Sequence, residues 1–93
     1  MAYNYGTAAD FVWDLDHAEV RFKVRQEGNH PPIQCRVTRE AIEDHCGSPG
    51  SVDACLDAAK EKFDLITDKV QRRIANGAFE LDRSILITSQ TWK

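Results

Sequence analysis

The sequence predicts an α+β fold: a two-layer domain of order β-β-α-α-β, with a small, mainly antiparallel sheet covered on one face by a short and a long helix. Three observations carry this reading. Apolar and charged residues alternate strictly from Ala18 to Arg25 and again from Ile33 to Thr38, the period of a strand with one buried face. An apolar stripe at helical spacing runs from Val52 to Ile74. The chain has 93 residues, room for one hydrophobic core and no more. With 42% hydrophobic and 29% charged residues, its composition is that of an ordinary globular protein rather than a disordered or fibrous one.

Residues 1–10 are small and polar apart from Tyr3 and Tyr5, and are expected to form a flexible lead-in to a single domain over residues 11–93. The apolar group Phe11-Val12-Trp13 precedes an acidic turn, Asp14-Leu15-Asp16-His17. In the first strand Ala18, Val20, Phe22 and Val24 point one way, and Glu19, Arg21, Lys23 and Arg25 the other. The stretch Glu27–Pro32 is rich in turn formers, and Ile33, Cys35 and Val37 then alternate with Gln34, Arg36 and Thr38. Two alternating runs joined by about six residues read as an antiparallel hairpin.

Thr38 is placed to cap a short helix from Arg39 to Cys46, with Glu40 near the positive end of its dipole. Gly47-Ser48-Pro49-Gly50 ends it, and Ser51 caps a long helix from Val52 to about Asn76, with Gly77 beyond its last turn. Asp68 and Arg72 form a favourable pair one turn apart. Ser84 to Thr88 is β-branched and apolar and reads as a third strand. At 1.5 Å per residue, an unbroken helix of this length spans roughly 38 Å against about 30 Å for the longest strand, so its Lys69–Asn76 end should overhang the sheet.

Read as a string, the chain resembles a known family. Trp13-Asp14, Val20-x-Phe22, the run Ile33-Gln34-Cys35-Arg36-Val37-Thr38-Arg39-Glu40-Ala41-Ile42, and Asp44-His45-Cys46-Gly47 are similar to the small proteobacterial family called domain of unknown function 1488. The long helix carrying Phe63, Ile66 and Arg73 fits the same pattern, so the resemblance spans residues 11–88. It implies a compact α+β domain of a bacterial cytosol. The family has no established activity, so the resemblance assigns no catalytic, cofactor or binding residue.

The three cysteines, Cys35, Cys46 and Cys55, are an odd number and no signal segment precedes them, which fits a reducing cytoplasm. No apolar run is long enough for a membrane span. Gaps of ten and eight residues between the cysteines lack the paired spacing of structural zinc, so no metal site is expected. His45 beside Cys46 gives a Cys/His enzyme reading, with Asp14, Asp16 and His17 as remote helpers. Helix neighbours point about 100° apart, however, so adjacency does not make the hydrogen-bonded pair that activation needs. No nucleotide-binding, zinc-protease or serine-hydrolase motif is present, and neither a catalytic residue nor a cofactor is assigned.

Charge is unevenly distributed. The net charge is −3, which excludes a generic nucleic-acid coat or a membrane-surface binder, yet residues 18–39 carry +3 and residues 40–68 carry −6. The hairpin's polar face thus presents Arg21, Lys23, Arg25 and Arg36, and Lys69, Arg72 and Arg73 lie at the end of the long helix. Leu86, between Ile85 and Ile87, should fall on the charged side of the sheet and calls for cover from Trp13, Trp92 or a second subunit. These positions, with Trp92, form the expected interaction surface of a small non-enzymatic binding module acting through a protein partner or a homodimer. Nucleic acid is the alternative partner. RNA-binding sheets add exposed aromatics to such a face, and here Phe22 points to the core, so Trp13 or Trp92 would have to supply the stacking platform.

Overall fold

A computed structural model describes residues 3–28, 30–47 and 51–92. It holds five strands, β1 (Tyr3–Asn4), β2 (Val12–Asp14), β3 (Glu19–Gln26), β4 (Ile33–Thr38) and β5 (Ile85–Ile87), and three α-helices, α1 (Arg39–His45), α2 (Val52–Glu61) and α3 (Phe63–Ala75). A single 3-10 turn, Ala8–Asp10, lies between β1 and β2.

The predicted hairpin is β3 and β4, antiparallel from Glu19↔Thr38 to Val24↔Ile33. Gln26 Nε2 donates to the Pro31 carbonyl at 2.9 Å and closes its loop. The third predicted strand is β5, which lies beside β4 and parallel to it, in the register Arg36↔Leu86. Parallel neighbours require a long crossover, and the three helices between β4 and β5 supply it. The sheet is therefore mainly antiparallel, as the sequence implies, with one parallel pair at its edge.

Two strands at the other edge go beyond the predicted order. β1 pairs antiparallel with β3 at Tyr3↔Gln26 and Asn4↔Arg25. β2 pairs with the other end of β3, from Val12↔Arg21 to Asp14↔Glu19. The expected flexible lead-in thus has defined secondary structure from Tyr3 onward. The physical reason is Phe11. It is 2% exposed, with its ring centroid 4.6 Å from that of Phe22 and 5.4 Å from that of Phe63, and this anchor holds the flanking chain against β3.

The long helix is also two helices. The backbone turns at Lys62 (φ −100°, ψ 26°), which ends α2 and begins α3. α2 packs on α1, the 3-10 turn and β2, whereas α3 packs on β5. One straight rod could not lie along both sites, and the bend lets both halves of the stripe reach the core. Cys55 and Ala59 from α2, and Ile66 and Val70 from α3, are fully buried. They meet Val20, Phe22, Val24, Cys35, Val37, Ile85 and Ile87 from the sheet in one core.

The predicted caps form. Thr38 Oγ1 accepts from the Ala41 amide at 3.2 Å and Ser51 Oγ from the Ala54 amide at 3.1 Å. The predicted stop Gly47–Gly50 lies largely outside the described residues. Among the described residues, no helix is long and apolar enough to cross a membrane.

Candidate functional site

All three helices pack on one face of the sheet, and the other face is left to the polar residues of the alternation. Register places Asn4, Asp14, Glu19, Arg21, Lys23, Arg25, Gln34, Arg36 and Leu86 on that outer face. The expected basic surface therefore assembles as one patch for Arg21, Lys23, Arg25 and Arg36, with Leu86 beside Arg36.

Its electrostatics are less simple than a row of cations. Arg21 Nε lies 2.7 Å from Asp14 Oδ2, and its NH2 lies 3.2 Å from Glu19 Oε1. Arg36 NH1 is 3.7 Å from the same Glu19 oxygen, and its NH2 reaches Ser84 Oγ at 3.5 Å. Glu19 is only 4% exposed, so its carboxylate acts as a partly desolvated counter-charge shared by two arginines that sit opposite each other in the sheet. His17 Nδ1 lies 3.0 Å from Asp14 Oδ2. Partial desolvation acts to raise the Asp14 carboxyl, but the His17 hydrogen bond, the Asp16 amide and the Arg21 charge together hold it below its ordinary value. Lys23 and Arg25 are exposed and make no ion pair among the described residues.

Asp14, His17 and Glu19 bring ligand-type atoms within 4.8 Å of one another. The guanidinium of Arg21 touches both carboxylates and already supplies their positive charge. The trio reads as an ion-pair network around two arginines. The sequence offered Asp14 and His17 only as remote helpers of Cys46, and missed Glu19 as their centre. Its signal was the Glu19-x-Arg21 spacing, two residues apart on one face.

Burial pushes the Cys46 thiol up, opposed by the Lys62 charge, whereas an activated nucleophile needs the reverse. The adjacent His45 ring stacks on Trp92, with centroids 4.6 Å apart and planes 3° from parallel. Lys69 Nζ lies 5.9 Å from the Trp92 ring, so Lys69 and Trp92 form a cluster on the helical side of the molecule. Trp92 packs partly buried against the core. Arg72 pairs with Asp68 at 3.3 Å, as predicted, and Arg73 is half-buried in the same last turns of α3. The expected surface is thus two surfaces: the outer sheet face with Leu86, and the α3 end with Trp92.

Neither tryptophan supplies the outer face. Trp13 stands opposite Val20 and so points to the core side, and Trp92 lies with His45. Tyr3 stands opposite Gln26 on the core side as well. Leu86 is half-buried and is left beside the stem of Arg36.

The gap between β1 and β2 was not foreseen. On that edge of β3, Phe22–Val24 has no strand partner, because residues 5–11 leave the sheet. They are held by Asp10 Oδ2, which accepts from the Thr7 amide at 2.8 Å, and by Asn4 Oδ1, which accepts from the Gly6 amide at 2.9 Å. A hollow of about 630 Å³ opens there on the outer face, with Asn4, Thr7, Arg21, Lys23, Arg25 and Gln34 at its polar rim.

With this geometry in place, comparison with known proteins is informative at one level. No protein-family model and no curated protein matches the chain. A solved structure does: a protein of unknown function from the DUF1488 family of Shewanella loihica PV-4, with a TM-score of 0.72 over 83% of this chain and 84% of that one. This chain has the fold of that protein. At 18% identity the likeness is one of fold, and it bears out at that level the family resemblance read from the strand and helix motifs. The DUF1488 protein is itself of unknown function, so the fold brings no activity with it.

Proposed function

We propose that this chain is a small, non-enzymatic interaction module of the cytosol, and that its outer sheet face binds an acidic surface of a partner protein. The observation that supports this most is that an open sheet face carries two cations, Lys23 and Arg25, with no ion pair among the described residues, beside the half-buried Leu86, while the described helices cover the opposite face. A protein partner is preferred to nucleic acid because Trp13, Trp92, Tyr3 and Phe22 all lie on the helical side, so none of these four rings offers bases a stacking platform on the basic face. The reduced cysteines, two of them buried, fit a cytosolic setting.

The test is an amide chemical-shift titration of labelled protein with a Glu-rich peptide and with a single-stranded oligonucleotide of equal charge. Each is run at about 50 and about 200 mM salt, because phosphate contacts weaken steeply over that range. Peptide-induced shifts at Arg21–Arg25 and Arg36 that exceed those from the oligonucleotide are expected. Tighter, strongly salt-dependent binding of the oligonucleotide would replace the protein partner by nucleic acid. If neither ligand moves these amides, the outer face is not the working surface.

A further inference from the structure

We infer that the hollow between β1 and β2 is a binding site for a small oxyanion group, a phosphate ester or a dicarboxylate. The inference rests on reading the outer face as the working surface, and it narrows that surface to one place and one chemistry. Three properties point to it.

The first is charge. Of the three cations on the rim, Arg21 is engaged by Asp14 at 2.7 Å and Glu19 at 3.2 Å, whereas Lys23 and Arg25 have no ion pair among the described residues. They stand two residues apart on one face of β3, about 7 Å along the strand, so both side chains can close on a single ligand. The one acid at the hollow, Asp10, already holds its carboxylate against the Thr7 amide. Each of these two cations can take one oxygen of a bound oxyanion group.

The second is the supply of neutral hydrogen-bonding groups. Gln34 brings a side-chain amide to the same rim, while the Thr7 hydroxyl donates to Asp10 Oδ2 at 3.5 Å. Val12, 57% exposed at the margin, offers apolar contact to the body of such a ligand.

The third is construction. The hollow exists because residues 5–11 are held out of the sheet in a defined loop. Gly6 has φ +73°, a conformation that favours glycine, and a Cβ there would press on the Asp10 carboxylate that shapes this wall. The resulting space, about 630 Å³, falls within the ~300–1,000 Å³ of small-molecule pockets.

The experiment is a chemical-shift titration with inorganic phosphate and, separately, with succinate, using sodium chloride at matched ionic strength as control. Saturable shifts at Asn4, Thr7, Lys23 and Arg25, half-complete at or below about 1 mM, are expected. The double variant Lys23→Gln/Arg25→Gln should weaken them about tenfold or more and leave amides elsewhere unmoved, since both side chains are exposed. Saturation by phosphate alone assigns a phosphate ester; saturation by succinate alone assigns a dicarboxylate. Shifts that climb linearly without saturating, or that survive in the double variant, would overturn the site. If small anions fail while the Glu-rich peptide still moves Arg21–Arg25, the hollow falls and the protein-binding face stands. If small anions saturate the site while the peptide moves nothing, the hollow stands and the ligand is a small molecule.

Discussion

Glu19 belongs to the solvent side of the sheet by alternation, yet it is 4% exposed, because Arg21 and Arg36 fold over its carboxylate. Truncating it leaves Arg36 without its carboxylate partner and Arg21 with Asp14 alone. Glu19→Ala is therefore expected to cost about 1–3 kcal/mol in urea unfolding, and Glu19→Gln, which keeps an acceptor, less. Cys35 makes a different residue-scale argument. Burial pushes its thiol up to about 12 from an ordinary 9.0. Between those values the unfolded chain has lost its proton and the folded chain keeps it, so stability is fully present below about pH 9 and falls as pH rises toward 12. Unfolding midpoints measured from pH 8 upward should show that decline, and Cys35→Ala should make it shallower, the remainder coming from Cys46, Cys55 and Tyr5, which burial also pushes up. Cys35 was legible in the sequence as a core thiol from its place in the alternation. Glu19 was not, because its partners come from β2 and β4 and only the register brings them together.

Helix boundaries were legible where a side chain or a glycine sets them. Ser51 and Thr38 cap as the sequence implies, and Ser51→Ala is expected to cost about 1 kcal/mol by loss of the bond to the Ala54 amide. Gly77 follows α3 at φ +66°, with the Ala78 amide donating back to the Arg73 carbonyl at 2.8 Å. A Cβ at Gly77 would meet nothing within 4 Å, so Gly77→Ala isolates the backbone term. Its expected cost is about 1 kcal/mol in thermal or urea unfolding, with no change in packing. The break at Lys62 had no such marker. Neither glycine nor proline stands there, the apolar stripe runs through it, and the bend exists because α2 and α3 rest on different strands.

At the scale of the molecule, the radius of gyration is 12.5 Å, near the ~12 Å of a compact domain of this length. The N-terminal segment is part of that body through Phe11, whose ring bridges Phe22 of the sheet and Phe63 of α3. Phe11→Ala is expected to lower stability by about 3–5 kcal/mol while unfolding remains a single transition by circular dichroism. A segment that were only an appendage would lose its own amide protection and leave the global midpoint unchanged. The same segment makes the hollow, so its walls were illegible in a sequence whose first ten residues lack any periodic pattern, whereas its cations Arg21, Lys23 and Arg25 were legible from the alternation of β3.

The sequence by itself determined the class of the fold, the two long strands, the helical stripe, the caps and the face to which each residue of β3 and β4 belongs. These follow from period and local chemistry, which act over a few neighbouring residues. The tertiary structure alone decided that β5 lies parallel to β4, that the long helix bends, that β1 and β2 share the edge of β3, and that Arg21 and Arg36 are paired while Lys23 and Arg25 have no ion pair among the described residues. Each of those outcomes depends on contacts between residues far apart in the chain, where long-range packing overrides local preference.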